Sequence, residues 1–87
     1  METTKLIETE LPKLSIAGIA MVIKRDWQKV NYAARPYLVA MCSLSSITDN
    51  YIFDSGQEIV LRFLCNASTW RGDIARAVKK ELKSRCN

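Results

Sequence analysis

Arg76, Lys80 and Lys83 recur at spacings of four and three residues, with Lys79 beside them and Arg71 shortly before. On a helix this spacing lines cations along one side, and Arg76–Lys80 and Lys79–Lys83 become like-charge pairs one turn apart. Each such pair costs a helix a few tenths of a kcal/mol. A ridge that opposes its own helix points to an anionic partner, either carboxylates on a protein or phosphates of DNA or RNA. The simpler use of the same charge is a solvated face that keeps a small domain soluble. Arg71, Arg76, Lys79, Lys80 and Lys83 are therefore the candidate binding residues. Six basic and two acidic residues fall within 71–87, a surplus of four that equals the net charge of the 87-residue chain, +4. The remaining seven basic and seven acidic residues cancel.

Other chemistries find little support. The chain has no histidine, so neither a Ser–His nor a Cys–His nucleophile can be assembled. Gly18, Gly56 and Gly72 are scattered and make no phosphate-cradling loop. Asp49, Asp54 and Glu58 form an acidic cluster whose spacing does not match a calcium loop and which reads better as helix capping. Cys42, Cys65 and Cys86 lie 23 and 21 residues apart, without a Cys-x-x-Cys pair. They read as two small buried hydrophobes and a near-terminal thiol rather than a disulfide framework or a zinc site. Asn66-Ala67-Ser68 and Arg71-Gly72-Asp73 match glycosylation and adhesion patterns without the extracellular context that either requires. The expectation is a non-enzymatic protein with no metal and no cofactor.

The elements that position the ridge follow from apolar periodicity. Ile16, Ile19, Ile23, Trp27 and Val30 are spaced 3, 4, 4 and 3, predicting a helix from Pro12 or Ser15 to Val30. Leu14–Ile23 is rich in β-branched residues and contains Gly18, so a buried strand is the alternative there. A second helix begins near Pro36 and reaches Ile47, with Tyr37, Met41 and Leu44 on its apolar side. A polar connection follows, and the pairs Asp54/Gln57 and Ser55/Glu58 each offer a capping box for a third helix. A fourth helix starts at Ser68 or Thr69, with Trp70, Ile74, Val78 and Leu82 as its core stripe. Residues 1–11 read as a loose N-terminal arm and 12–87 as one all-α bundle of about four helices.

The last two helices fit a helix-turn-helix loosely. Against base readout, the helix start offers only Arg71 as a base reader, and the later cations are mostly lysines suited to phosphate. The ten-residue run Leu14–Ile23 is too short to span a membrane. The acidic approach to it argues against a secretory leader and for the cytoplasm. A homodimer would use Leu14–Ile23 if that segment were left uncovered.

The segments Ala33-Ala34-Arg35-Pro36-Tyr37-Leu38 through Ser55-Gly56, and Phe63-Leu64-Cys65-Asn66-Ala67-Ser68-Thr69-Trp70-Arg71-Gly72-Asp73, resemble small accessory proteins of phages and other bacterial mobile elements. The resemblance spans about residues 31–85 and brings no active site with it. It implies a protein that binds and blocks a host defence or nucleic-acid-handling complex, in the manner of anti-CRISPR or anti-restriction inhibitors. The host protein or nucleoprotein complex is then the leading expected partner, and DNA or RNA phosphates are the alternative.

Overall fold

A computed structural model describes residues 9–86 of the chain. Among them lie four complete α-helices: α1 (Ile16–Asp26), α2 (Arg35–Met41), α3 (Gly56–Cys65) and α4 (Asp73–Cys86). A 3-10 turn at Leu11–Lys13 precedes them. Between α2 and α3 a short antiparallel hairpin pairs β1 (Asn50–Tyr51) with β2 (Asp54–Ser55). Among the described residues the protein is thus all-α apart from four residues of strand. Of the expected arm, residues 1–8 lie outside the described residues. Leu11, its last residue, belongs to the domain: it is buried, and its carbonyl accepts a hydrogen bond from Arg85 at 2.7 Å.

Leu14–Ile23 enters α1, which settles the helix-or-strand alternative for this run. Ile16, Ile19, Ala20 and Ile23 are fully buried, as the three-and-four spacing requires. Ser15 caps the helix, its hydroxyl accepting from the Gly18 amide at 3.0 Å. Two further free amides at this end are satisfied by tertiary neighbours: Ile16 donates to the Ser45 carbonyl and Ala17 to the Leu44 carbonyl. That leaves Pro12 in the separate 3-10 turn and not in α1. At the other end α1 stops at Asp26, short of Val30, because Trp27 leaves helical geometry at φ −99°, ψ 81°.

The same bonds explain why α2 ends at Met41 rather than Ile47. The chain turns over Cys42–Leu44 to present the Leu44 and Ser45 carbonyls to α1. The Asp49 carboxylate then accepts from the Ser45 and Ser46 amides at 2.8 and 3.3 Å. The expected polar connection is therefore an ordered turn and hairpin. Its backbone also receives α3: Gly56 donates to the Asp49 carbonyl and Gln57 to the Ile47 carbonyl. Of the two candidate capping pairs, Ser55/Glu58 forms, the Ser55 hydroxyl accepting from the Glu58 amide at 3.2 Å.

Helix α4 begins at Asp73, not at Ser68 or Thr69. Residues 66–72 make an irregular connection in which Gly72 takes φ 115°, a conformation open to glycine and costly for other residues. Ile74, Val78 and Leu82 line the inner side of α4 as the stripe predicts, but Trp70 reaches the core from the connection. Its ring stacks on Trp27, with centroids 5.7 Å apart and planes at 9°, and Phe63 packs edge-on against both. Because Trp70 contacts the end of α1 while Arg85 contacts Leu11 before its start, α1 and α4 run antiparallel.

Candidate functional site

The basic ridge rests on this frame. Ile74, Ala75, Val78 and Leu82 turn one side of α4 inward, so positions 76, 80 and 83 fall on the outer side. Arg76, Lys80 and Lys83 are all exposed there. With Lys79 and Ser84 they border an open depression of about 570 Å³. All five belong to one helix, so the depression is the space between long side chains, not a cleft between elements. Arg76 reaches Asp73 at 3.7 Å, with both side chains more than two-thirds exposed, a geometry worth little energy in water. Arg71 lies in the connection before the helix, also exposed.

Lys79 differs from the rest of the ridge. Its ammonium folds back to donate to the Trp70 carbonyl at 2.6 Å and sits 5.9 Å from the Trp70 ring centroid. Burial, and then repulsion from Lys83 and Arg71, hold its pKa below the ordinary lysine value. That repulsion places Arg71, Lys79 and Lys83 in one electrostatic neighbourhood. Arg71, Lys80 and Lys83 thus make no ion pair among the described residues, Arg76 keeps only the long exposed contact to Asp73, and Lys79 bridges the ridge to the aromatic core. Guanidinium and ammonium groups of this kind bind carboxylate or phosphate oxygens.

Helix-turn-helix geometry is not formed. The connection 66–72 is longer than the three- or four-residue turn of that motif, and the second helix opens with Asp73 and Ile74. An acidic first residue would face the bases. The cysteines also depart from expectation: Cys65 is exposed, and Cys42 and Cys86 are only partly covered. Gln57 holds Cys86, its amide donating to the Cys86 carbonyl at 2.8 Å and its carbonyl accepting weakly from the thiol at 3.9 Å. Burial pushes the Cys86 thiol pKa up, away from the reactive thiolate. The acidic cluster separates into different tasks: Asp49 closes the turn before the hairpin, and Glu58 pairs with Arg62 at 2.9 Å.

One feature escapes sequence reasoning. Ile52 and Phe53 form the hairpin tip, 76 % and 98 % exposed, and Ile52 is held at φ 57°. For a β-branched residue this left-handed conformation is a strained outlier. Tyr51-Ile52-Phe53-Asp54 lacks the Asn-Gly or Asp-Gly signature of a tight hairpin, so no local turn signal was present to find.

No protein-family model matches the chain, and neither a curated protein nor a solved structure matches it. Among the described residues no helix is long and apolar enough to cross a membrane. The class that the structure itself defines is a small all-α protein with a cationic outer face on its last helix.

Proposed function

We propose that this is a non-enzymatic binding protein that docks the outer face of α4 on an acidic surface of a partner protein. The partner would be a component of a host defence or nucleic-acid-handling complex that the bound protein inhibits. The observation that carries the reading is the row of exposed Arg76, Lys80 and Lys83, which persists although neighbouring cations repel one another along the helix. Arg71 extends the row beyond the helix start. Lys79 is a positioning residue for this face, because its ammonium is engaged by Trp70.

A second reading uses the same row against phosphates. Arg76 and Lys83 are seven residues apart, roughly 10 Å along the axis, a span that reaches more than one phosphate of a strand. Because the row is mostly lysine, which suits phosphate better than base edges, this binding has weak sequence specificity.

The test is a comparison of the wild-type chain with Arg76→Glu/Lys80→Glu/Lys83→Glu. Lys79 is left intact so that the core contact survives. The proposal expects a bacterial protein retained from nuclease-treated lysate by the wild type and lost with the variant, and no binding of purified DNA or RNA. Micromolar binding of free nucleic acid that collapses as salt rises establishes the second reading instead. Equal retention of the partner by both chains removes the α4 face from the interaction.

A further inference from the structure

Lys79 is set apart from every other described lysine. Lys13, Lys24, Lys29, Lys80 and Lys83 are exposed, and their ammonium groups make neither a hydrogen bond nor an ion pair among the described residues. Lys79 is half-buried, and its ammonium is fixed against the carbonyl and the ring of Trp70. We propose that Lys79 is a modification site, acylated by a small acyl phosphate whose phosphate group is held by Arg71 and Lys83.

The geometry brings an amine, two cations and an open approach together. Lys79 lines the depression of about 570 Å³ on α4 with Arg76, Lys80, Lys83 and Ser84, so a small molecule reaches it from solvent. Its ammonium donates at 2.6 Å to the carbonyl of Trp70, which belongs to the peptide unit leading into Arg71. The amine therefore sits at the base of the Arg71 side chain. Lys83 stands one helical turn further along α4 and also acts on the Lys79 charge. A phosphate seated between Arg71 and Lys83 makes charge-assisted hydrogen bonds to both. The acyl carbon it carries is then held beside the amine, which replaces a chance encounter with a positioned one.

The same surroundings favour the reactive form. Burial, and then Lys83 and Arg71, hold the Lys79 pKa below the ordinary lysine value, so more of this amine is neutral and nucleophilic. One N–H of the neutral amine is committed to the Trp70 carbonyl, and its lone pair stays free. That lone pair attacks the carbonyl carbon of the acyl phosphate. A C–N bond forms, the bond from the same carbon to the phosphate oxygen breaks, and its electron pair leaves with phosphate. The surplus proton on nitrogen passes to the departing phosphate. The products are N-acyl-Lys79 and inorganic phosphate. The amide keeps an N–H for the Trp70 carbonyl, while the charge beside the ring and one charge of the ridge are lost.

The reaction does not depend on what the ridge binds, so its failure and that of the proposed function are separable. The full chain is incubated with acetyl phosphate near neutral pH, and acetylation at each lysine is followed in time by tandem mass spectrometry. Lys79 is expected to react several-fold faster than Lys80, its neighbour on the same helix. Excess inorganic phosphate should slow Lys79 by competing for the seat. Arg71→Gln and Lys83→Gln should each slow acetylation of Lys79 by acetyl phosphate more than by acetic anhydride, a neutral reagent with no phosphate to hold. Both replaced side chains are exposed, so folding is not at stake. Equal rates at Lys79 and Lys80 overturn the proposal. So does an equal loss with the two reagents in both variants, because the cations then act only on the charge of the amine and hold no phosphate.

Discussion

The indole N–H of Trp70 donates to the Asp26 carboxylate across 2.8 Å, joining the last residue of α1 to the connection that leads into α4. The two residues are 44 positions apart in the chain. This bond, with the Trp27–Trp70 stack beside it, sets where α4 begins and therefore where the basic ridge lies.

Trp70→Phe keeps an aromatic ring but removes the donor. A hydrogen bond to a charged acceptor contributes about 1.5–3 kcal/mol, so urea denaturation should show a loss of that order. Asp26→Ala leaves the half-buried indole N–H unpaired and should cost about 1–2 kcal/mol. If both variants match the wild type, the bond is not holding the connection.

Gly56→Ala tests the seat of α3. A Cβ at position 56 would lie 2.8 Å from the Ser46 carbonyl oxygen and 3.0 Å from that of Ile47. Both are backbone atoms held by the turn around Asp49. The substitution should destabilise by about 1–3 kcal/mol, despite the better helix propensity of alanine. A raised Tm would mean the turn yields freely.

Ile52→Asn should stabilise the isolated chain. Left-handed backbone costs an ordinary residue roughly 1–2 kcal/mol, asparagine tolerates it better, and the isoleucine side chain buries little there. A gain of about 0.5–1 kcal/mol is expected by thermal or urea unfolding. A loss would show that the side chain contributes packing at the hairpin.

Lys79 has a pH signature. Its folded pKa lies below the ordinary lysine value of 10.5, first through burial and then through Lys83 and Arg71. In the alkaline range approaching 10.5 the unfolded chain therefore binds more protons than the folded one, and stability rises with pH. The cost of holding the charged amine is full at neutral pH and is relieved as pH climbs through the lowered pKa. Measured against Lys79→Met, the wild type should gain stability across this window. A difference that stays flat from pH 7 to 11 would contradict it.

Much of the helical frame is legible without coordinates. The inward stripes of α1 and α4 follow from three-and-four spacing, and the Ser55 cap is one of the two that the capping-box pairs offer. These are local effects, carried by backbone geometry and by side chains one turn apart. The cationic ridge is legible for the same reason: Arg76, Lys80 and Lys83 need only a helix to share a side.

The remainder was decided by contacts between distant residues. Ser68 and Thr69 are good caps, yet α4 starts at Asp73 because Asp26 and Trp27 draw Trp70 out of any helical path. Spacing could place Trp70 in the core but not say from which element. Ser45 belongs to no helix because α1 requires carbonyls at its first turn. Lys79 counts as a free cation in sequence and as a Trp70 ligand in space. The hairpin, with no turn signature of its own, exists because the Asp49 backbone and carboxylate close the turn that receives α3. Periodicity determined which residues this chain buries and which side of α4 carries charge. Only tertiary structure decided where each helix stops, because unpaired backbone groups at helix ends are satisfied by whatever the rest of the fold brings to them.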